Sequence, residues 1–248
     1  VCRVGAPLCP SGWCEVGPRA ASGATRGTTI RWIGAAGFGL AGPLFLAYPL
    51  LRPWTDETTL EGAAAFASGA WVVSHTMAML GFLSLTVGAA SLAIPSEERP
   101  ATAGGRSRVV AAVLAWLGAG LVLPYYGAEA FGLQVIGARA VVEADPSLLQ
   151  MAEQFRLGPV AATMFGAGLL ALAGAGIALA AALRHADQLM RAGGLLSGLG
   201  LATYLPQFFL PAAGRIGHGA VLALGLILLA AALWRSRDTA RRPAGEPA

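Results

Sequence analysis

Six long apolar stretches, separated by short polar connections, organise this chain. They run from about Ile30 to Leu51, Phe66 to Ile94, Val109 to Leu133, Leu157 to Leu183, Ala192 to Ala212 and Ile216 to Trp234. Crossing ~30 Å of hydrocarbon takes about 20 apolar residues at ~1.5 Å per residue. The stretches approach or exceed that length, and none alternates with a period of two. They therefore predict helices rather than strands. The fifth is the weakest, because Pro206 and Pro211 interrupt it and its turn into the sixth is very short. The expected fold is an all-α, polytopic transmembrane bundle of six spans over residues 30–234. A disordered tail (1–29) would precede it and a basic tail (235–248) follow.

Composition narrows the class. Of 248 residues, 56% are hydrophobic and only 12% charged, against about 25% charged in an ordinary soluble domain. That leaves too little polar surface for a water-soluble globule, and no basic stripe for nucleic acid. All 17 basic residues are Arg; Lys and Asn are both absent. Without Lys there is no Schiff base of the rhodopsin kind, no lysine nucleophile and no P-loop. Without Asn there is no N-glycosylation site. The Ala, Gly, Arg and Pro excess looks like a GC-rich coding sequence. Cys2, Cys9 and Cys14 are spaced as neither a CxxC pair nor a familiar zinc pattern, and no apolar core of signal-peptide type precedes the first span.

Arginine placement predicts orientation. Arg3, Arg19, Arg26, Arg31, Arg99, Arg106, Arg108, Arg184, Arg191, Arg235, Arg237, Arg241 and Arg242 fall on one side of the six-span threading. Arg52, Arg139, Arg156 and Arg215 fall on the other, beside Asp56, Glu57, Glu61, Glu143, Asp145 and Glu153. The positive-inside rule then places both termini in the cytoplasm, in a multi-pass protein of the inner membrane with the lipid bilayer as its partner.

The longest outer connection, Gln134 to Arg156, reads as a short helical hairpin, with Asp145 as a cap and Pro146 at a first helical position. Small residues line every span, and Gly194 and Gly198 form a GxxxG pair that predicts close helix packing within the bundle. The oligomeric state is not legible.

Polar residues converge at the outer end of the spans. His75 lies about nine residues into the second stretch, roughly 13 Å deep. Glu129 is expected one turn inside the end of the third, with Tyr125 and Tyr126 on a neighbouring face. Tyr204 and Gln207 lie in the outer half of the fifth; Arg156 opens the fourth, and Arg215 and His218 the sixth. The inner halves carry almost nothing ionisable. Ionisable groups at membrane depth cost ~2.5–3.5 kcal/mol each and usually face a cavity or one another. Two readings follow. In one, Glu129, Arg156 and Arg215 form an ion-pair network. In the other, an outward-facing pocket, apolar below and polar above, holds a hydrophobic small molecule.

In the pocket reading, Glu129, His75 and Tyr126 form the acid–base group. Trp71, Tyr125, Arg156, Tyr204, Gln207, Arg215 and His218 contact an amphipathic or isoprenoid-like substrate. A buried acid could protonate an alkene or epoxide while aromatic faces steady the cation. This arrangement resembles integral-membrane terpene cyclases in general terms, although those have seven spans and two separated acids. Pro95-Ser96-Glu97-Glu98 is similar to the PxEE element of small membrane lycopene cyclases, but lies on the Arg-rich side. Leu123-Pro-Tyr-Tyr-Gly-Ala-Glu129, Leu205-Pro-Gln-Phe208 and Arg215-Ile-Gly-His218 together resemble uncharacterised six-helix integral membrane proteins of high-GC bacteria, a resemblance that implies the bundle but no activity. The alternatives are a transporter subunit or non-catalytic membrane protein with a structural polar cluster, and haem or metal binding through His75 and His218. No cofactor is required by the sequence.

Overall fold

The computed structural model describes residues 18–95 and 104–241. The three cysteines, residues 96–98 of the Pro-Ser-Glu-Glu stretch and the final seven residues lie outside the described residues, as do the side chains of Arg19, Arg26, Arg237 and Arg241. Among the described residues the chain is helical, with helices α1 (Pro18–Leu51), α2 (Leu60–Ala67), α3 (Gly69–Ala93), α4 (Gly105–Gly127), α5 (Leu133–Glu143), α6 (Gln150–Arg156), α7 (Pro159–Leu183), α8 (Gln188–Ala202) and α9 (Ala212–Arg241). Five helical stretches are long and apolar enough to cross a membrane: Gly27–Leu51, Gly69–Ala93, Gly105–Glu143, Pro159–Leu183 and Ala212–Arg235.

Each of α1, α3, α4, α7, α8 and α9 packs on the next, and α9 packs back on α1, closing a ring of six. Small residues set the close approaches. A Cβ at Gly37 would meet the Gly88 backbone nitrogen at 2.6 Å, so α1 and α3 touch backbone to backbone. A Cβ at Gly198 would lie 2.8 Å from the Gly176 carbonyl oxygen. The 194–198 pair is thus spent inside the bundle, against α7, as small residues four apart allow. The ring brings Trp32, near the start of the Gly27–Leu51 stretch, against Trp234, at the end of the Ala212–Arg235 stretch, ring centroids 4.3 Å apart. The start of the first spanning stretch and the end of the last therefore share one end of the bundle, called here the tryptophan end.

The opposite, capped end departs from the sequence reading in three places. The third apolar stretch continues to Glu143 as one rod of 39 residues, ~58 Å long at 1.5 Å per residue, about twice the ~30 Å hydrocarbon thickness. The first arm of the expected hairpin, α5, is therefore a continuation of this rod. Pro124 is accommodated within the rod, and a π-helical turn, Ala128–Gly132, follows it.

The second stretch breaks at Ser68, whose hydroxyl accepts from the Trp71 amide at 3.2 Å and so caps α3. Phe66 belongs to the separate helix α2, and His75 is only six residues into α3, ~9 Å rather than ~13 Å from its start. The fifth stretch folds as α8, of 15 residues, followed by a 3₁₀ turn at Pro206–Phe209. It is too short to count among the five.

Besides a small alanine cluster of Ala89, Ala115 and Ala175, two larger apolar clusters form among the described residues. One fills the ring, with Phe38, Phe45, Phe82, Leu172 and Leu226 among its members. The other joins α2, α5, the 3₁₀ turn at Pro146–Leu149 and α6 through Ala63, Phe66, Trp71, Leu133, Leu149 and Ala152. Asp145 opens that turn as its cap, accepting from the Ser147 amide at 2.9 Å. Around the ring, Leu40, Trp116, Leu170, Ile177 and Leu224 are exposed. Such a belt would be an aggregation surface in water.

Candidate functional site

The polar residues of the capped end lie between the two apolar clusters. Arg52 and Glu57 come from the connection after α1, His75 from α3, Glu129 from the π-helical turn and Arg156 from the end of α6. They form an alternating chain of charges. Glu57 bridges Arg52 and Arg156, the latter at 2.7 Å. Arg156 in turn grips Glu129 in bidentate fashion, Nε to Oε1 at 2.5 Å and Nη2 to Oε2 at 2.7 Å. Paired forks of this kind are the strong form of ion pair. Burial opposes ionisation of Glu57, but Arg52 and Arg156 override it and hold its carboxyl below the ordinary range. Burial likewise opposes the charge of Arg156, while Glu129 and Glu57 raise its pKa further.

The π-helical turn has a local purpose. There the backbone register widens by one residue, the Leu133 amide donating to the Ala128 carbonyl. The Glu129 carbonyl receives the Trp71 indole at 2.7 Å. That bond ties the rod to α3 beside the ion pairs. Arg52 lies over the faces of Trp54 and Trp71, at 4.4 and 4.7 Å from the centroids.

A cavity of about 450 Å³ opens beside this chain. Arg52, Glu57, His75, Glu129, Arg156 and Arg215 supply its ionisable wall; Tyr48, Tyr125, Phe165, Leu205 and Phe208 are among its largely apolar remainder. Tyr125 stacks on Phe165 with centroids 4.0 Å apart, making one side a flat aromatic wall. On the other side of the ion pairs, Glu57 and Arg156 also line a groove of about 530 Å³ with Pro146, Gln150 and Glu153.

The structure brings together some of the expected site residues and separates others. His75, Tyr125, Tyr126, Glu129, Arg156 and Arg215 all line the main cavity. Tyr204, Gln207 and His218 line a small side pocket with Phe45 and Trp54, to which Tyr48 and Arg215 are common. Trp71 is fully buried and supports the site from behind.

The hydrogen-bonded unit expected of Glu129, His75 and Tyr126 does not form. The Tyr126 hydroxyl meets that of Tyr204 at 3.1 Å. His75 Nε2 stands 3.9 Å from Glu129, beyond hydrogen-bond reach, while its Nδ1 donates to the Trp71 carbonyl at 2.8 Å. Both oxygens of Glu129 accept from Arg156 instead.

Nor do the two histidines share a site. His218 Nε2 donates to the Gly200 carbonyl at 2.8 Å and lies in the side pocket. Among the described residues, no three His, Cys, Asp or Glu side chains are grouped as metal ligands.

Sequence reasoning missed Arg52, Glu57 and Tyr48 as site residues. The available signal was placement: Arg52 directly follows the first span on the Arg-poor side, and Glu57 is five residues on.

Fold and site together define a multi-pass, all-α membrane protein with a partly polar cavity beneath a helical cap. No protein family, curated protein or solved structure matches the chain.

Proposed function

We propose that the protein binds an amphipathic or isoprenoid-like small molecule in this cavity, in a six-span protein of the cytoplasmic membrane whose capped end faces outward. The cavity itself carries the reading. A volume of about 450 Å³ falls within the ~300–1,000 Å³ usual for small-molecule sites, and ionic groups gather on one wall while aromatic and aliphatic groups form the rest.

The topology has two supports. Close contacts of α8 with α9, at Gly193 and Gly200, and with α7, at Gly198, support reading it as a sixth crossing despite its 15 residues. The Trp32–Trp234 contact at one end of the bundle supports an even number of crossings. Arg52, Arg139, Arg156 and Arg215, the Arg-poor set, belong to the elements of the capped end or to the end of α9 beside it, so the positive-inside rule turns that end outward.

Chemical conversion is a second reading, and it centres on His75 rather than Glu129. With Nδ1 committed to the Trp71 carbonyl, Nε2 is the nitrogen left to take a proton from a bound substrate.

Organic extracts of purified protein, analysed by mass spectrometry, test the binding reading. Leu205→Trp adds bulk at the lip of the cavity, at a half-exposed position. A species enriched in wild type over this variant is the expected result; indistinguishable extracts would remove the proposal.

A further inference from the structure

The charges lining the cavity do not cancel. Arg52, Glu57, Arg156 and Glu129 form a neutral alternating chain. Arg215 is a fifth charge, and among the described residues no carboxylate pairs with it. It is held instead by backbone: Nε donates to the Leu210 carbonyl at 3.0 Å and Nη2 to that of Phe208. Its guanidinium lies 5.2 Å from the Trp54 ring centroid, and that of Arg52 lies 4.4 Å from the same ring. Trp54 is itself anchored, its indole donating to the Pro49 carbonyl at 3.1 Å. Two cavity-lining guanidiniums therefore contact one fixed aromatic plate, Trp54, which lines the adjoining side pocket. One of them is incompletely used, since the buried Nε of Arg52 has no hydrogen-bond partner among the described residues.

A half-buried cation without a counter-charge is costly, and an unmet buried donor adds to the cost. A ligand with one negative charge at its head would supply the counter-charge that Arg215 lacks; a cationic head would be repelled. The remainder of the cavity is wrong for a free ion. Its lip carries Leu157, Leu205 and Phe209, apolar side chains that are exposed, Phe209 by 85%. Leu157 lies just before α7, and Leu205 and Phe209 between α8 and α9, so the cavity has an apolar, exposed mouth at the capped end of the spans, a surface suited to an alkyl tail.

We propose that the cavity takes a single-tailed anionic amphiphile from the bilayer, its carboxylate or phosphate head between Arg52 and Arg215 beside Trp54 and its tail passing Leu157, Leu205 and Phe209. This rests on the cavity being a binding site, and it names the ligand class.

The test uses full-length protein in neutral phosphatidylcholine nanodiscs, with empty nanodiscs as the blank. Binding of radiolabelled palmitate, hexadecyl phosphate and hexadecanol, matched in chain length, is compared. A charged hydrogen bond gained at the head predicts at least about tenfold tighter saturable binding of the two anions. Arg215→Gln should collapse that preference to within about threefold, and Arg215→Lys should retain most of it.

Equal binding of anions and hexadecanol by wild type would overturn the anionic head while leaving the cavity as a binding site. Saturable binding of none of the three would overturn both readings. Displacement of hexadecyl phosphate by inorganic phosphate at similar concentration would mean a free anion is the ligand, and would overturn the amphiphile. Because the wild-type comparison alone can sink the proposal, it survives even poor folding of Arg215→Gln.

Discussion

Replacing Glu129 by glutamine keeps the shape of the side chain and removes the charge that Arg156 grips with two hydrogen bonds. Both partners are largely buried, with side-chain exposures of 8% for Glu129 and 20% for Arg156. Breaking a fully buried pair costs ~3–5 kcal/mol, because it leaves a charge uncompensated. Here Arg156 retains Glu57 at 2.7 Å and some contact with water, so about 2–3 kcal/mol is the expected loss. At ~2–4 °C per kcal/mol for a chain of this size, that is a fall of about 5–10 °C in melting temperature. Tryptophan fluorescence in neutral nanodiscs follows unfolding, and Trp71 reports on the site directly, since its indole is bonded to the Glu129 carbonyl. Arg156→Gln should cost more, because it leaves both Glu57 and Glu129 without this partner. The double variant should be milder than the sum of the singles by about 1 kcal/mol or more, as expected for directly coupled groups. A melting temperature for Glu129→Gln within about 1 °C of wild type would refute the argument that this ion pair holds the cap on the bundle.

Two further outcomes probe the frame. In a background lacking Cys2, Cys9 and Cys14, Ser147→Cys should react with an impermeant thiol reagent in intact cells and Gly245→Cys should not; labelling at 245 alone would reverse the orientation. Gly37→Ala forces a methyl group to within 2.6 Å of the Gly88 backbone nitrogen, so α1 and α3 must part at a cost of about 1–3 kcal/mol. Unchanged thermal stability of that variant would show that this contact can relax.

The apolar periodless runs were enough to determine an all-helical membrane protein, because hydrocarbon forces the backbone to satisfy its own hydrogen bonds and a helix does so within one segment. The gathering of polar groups at one end was legible for the same reason: residues such as Glu129, His75 and Arg156 are conspicuous against hydrocarbon. What each polar group does was not legible. Glu129 pairs with Arg156, 27 positions away, and Arg156 with Glu57, 99 positions away. Such separations are closed only by the ring and its cap. The serine that splits α2 from α3 and the π-helical turn after Pro124 also escaped the pattern, since neither interrupts the hydrophobicity that marks a span. Depth, too, depended on tertiary structure. His75 lies closer to the start of its helix than the apolar run implied, because Phe66 was apolar for the sake of the cap cluster. Hydrophobicity records that a side chain avoids water; only the folded chain decides whether lipid, the ring or the cap is what it meets instead.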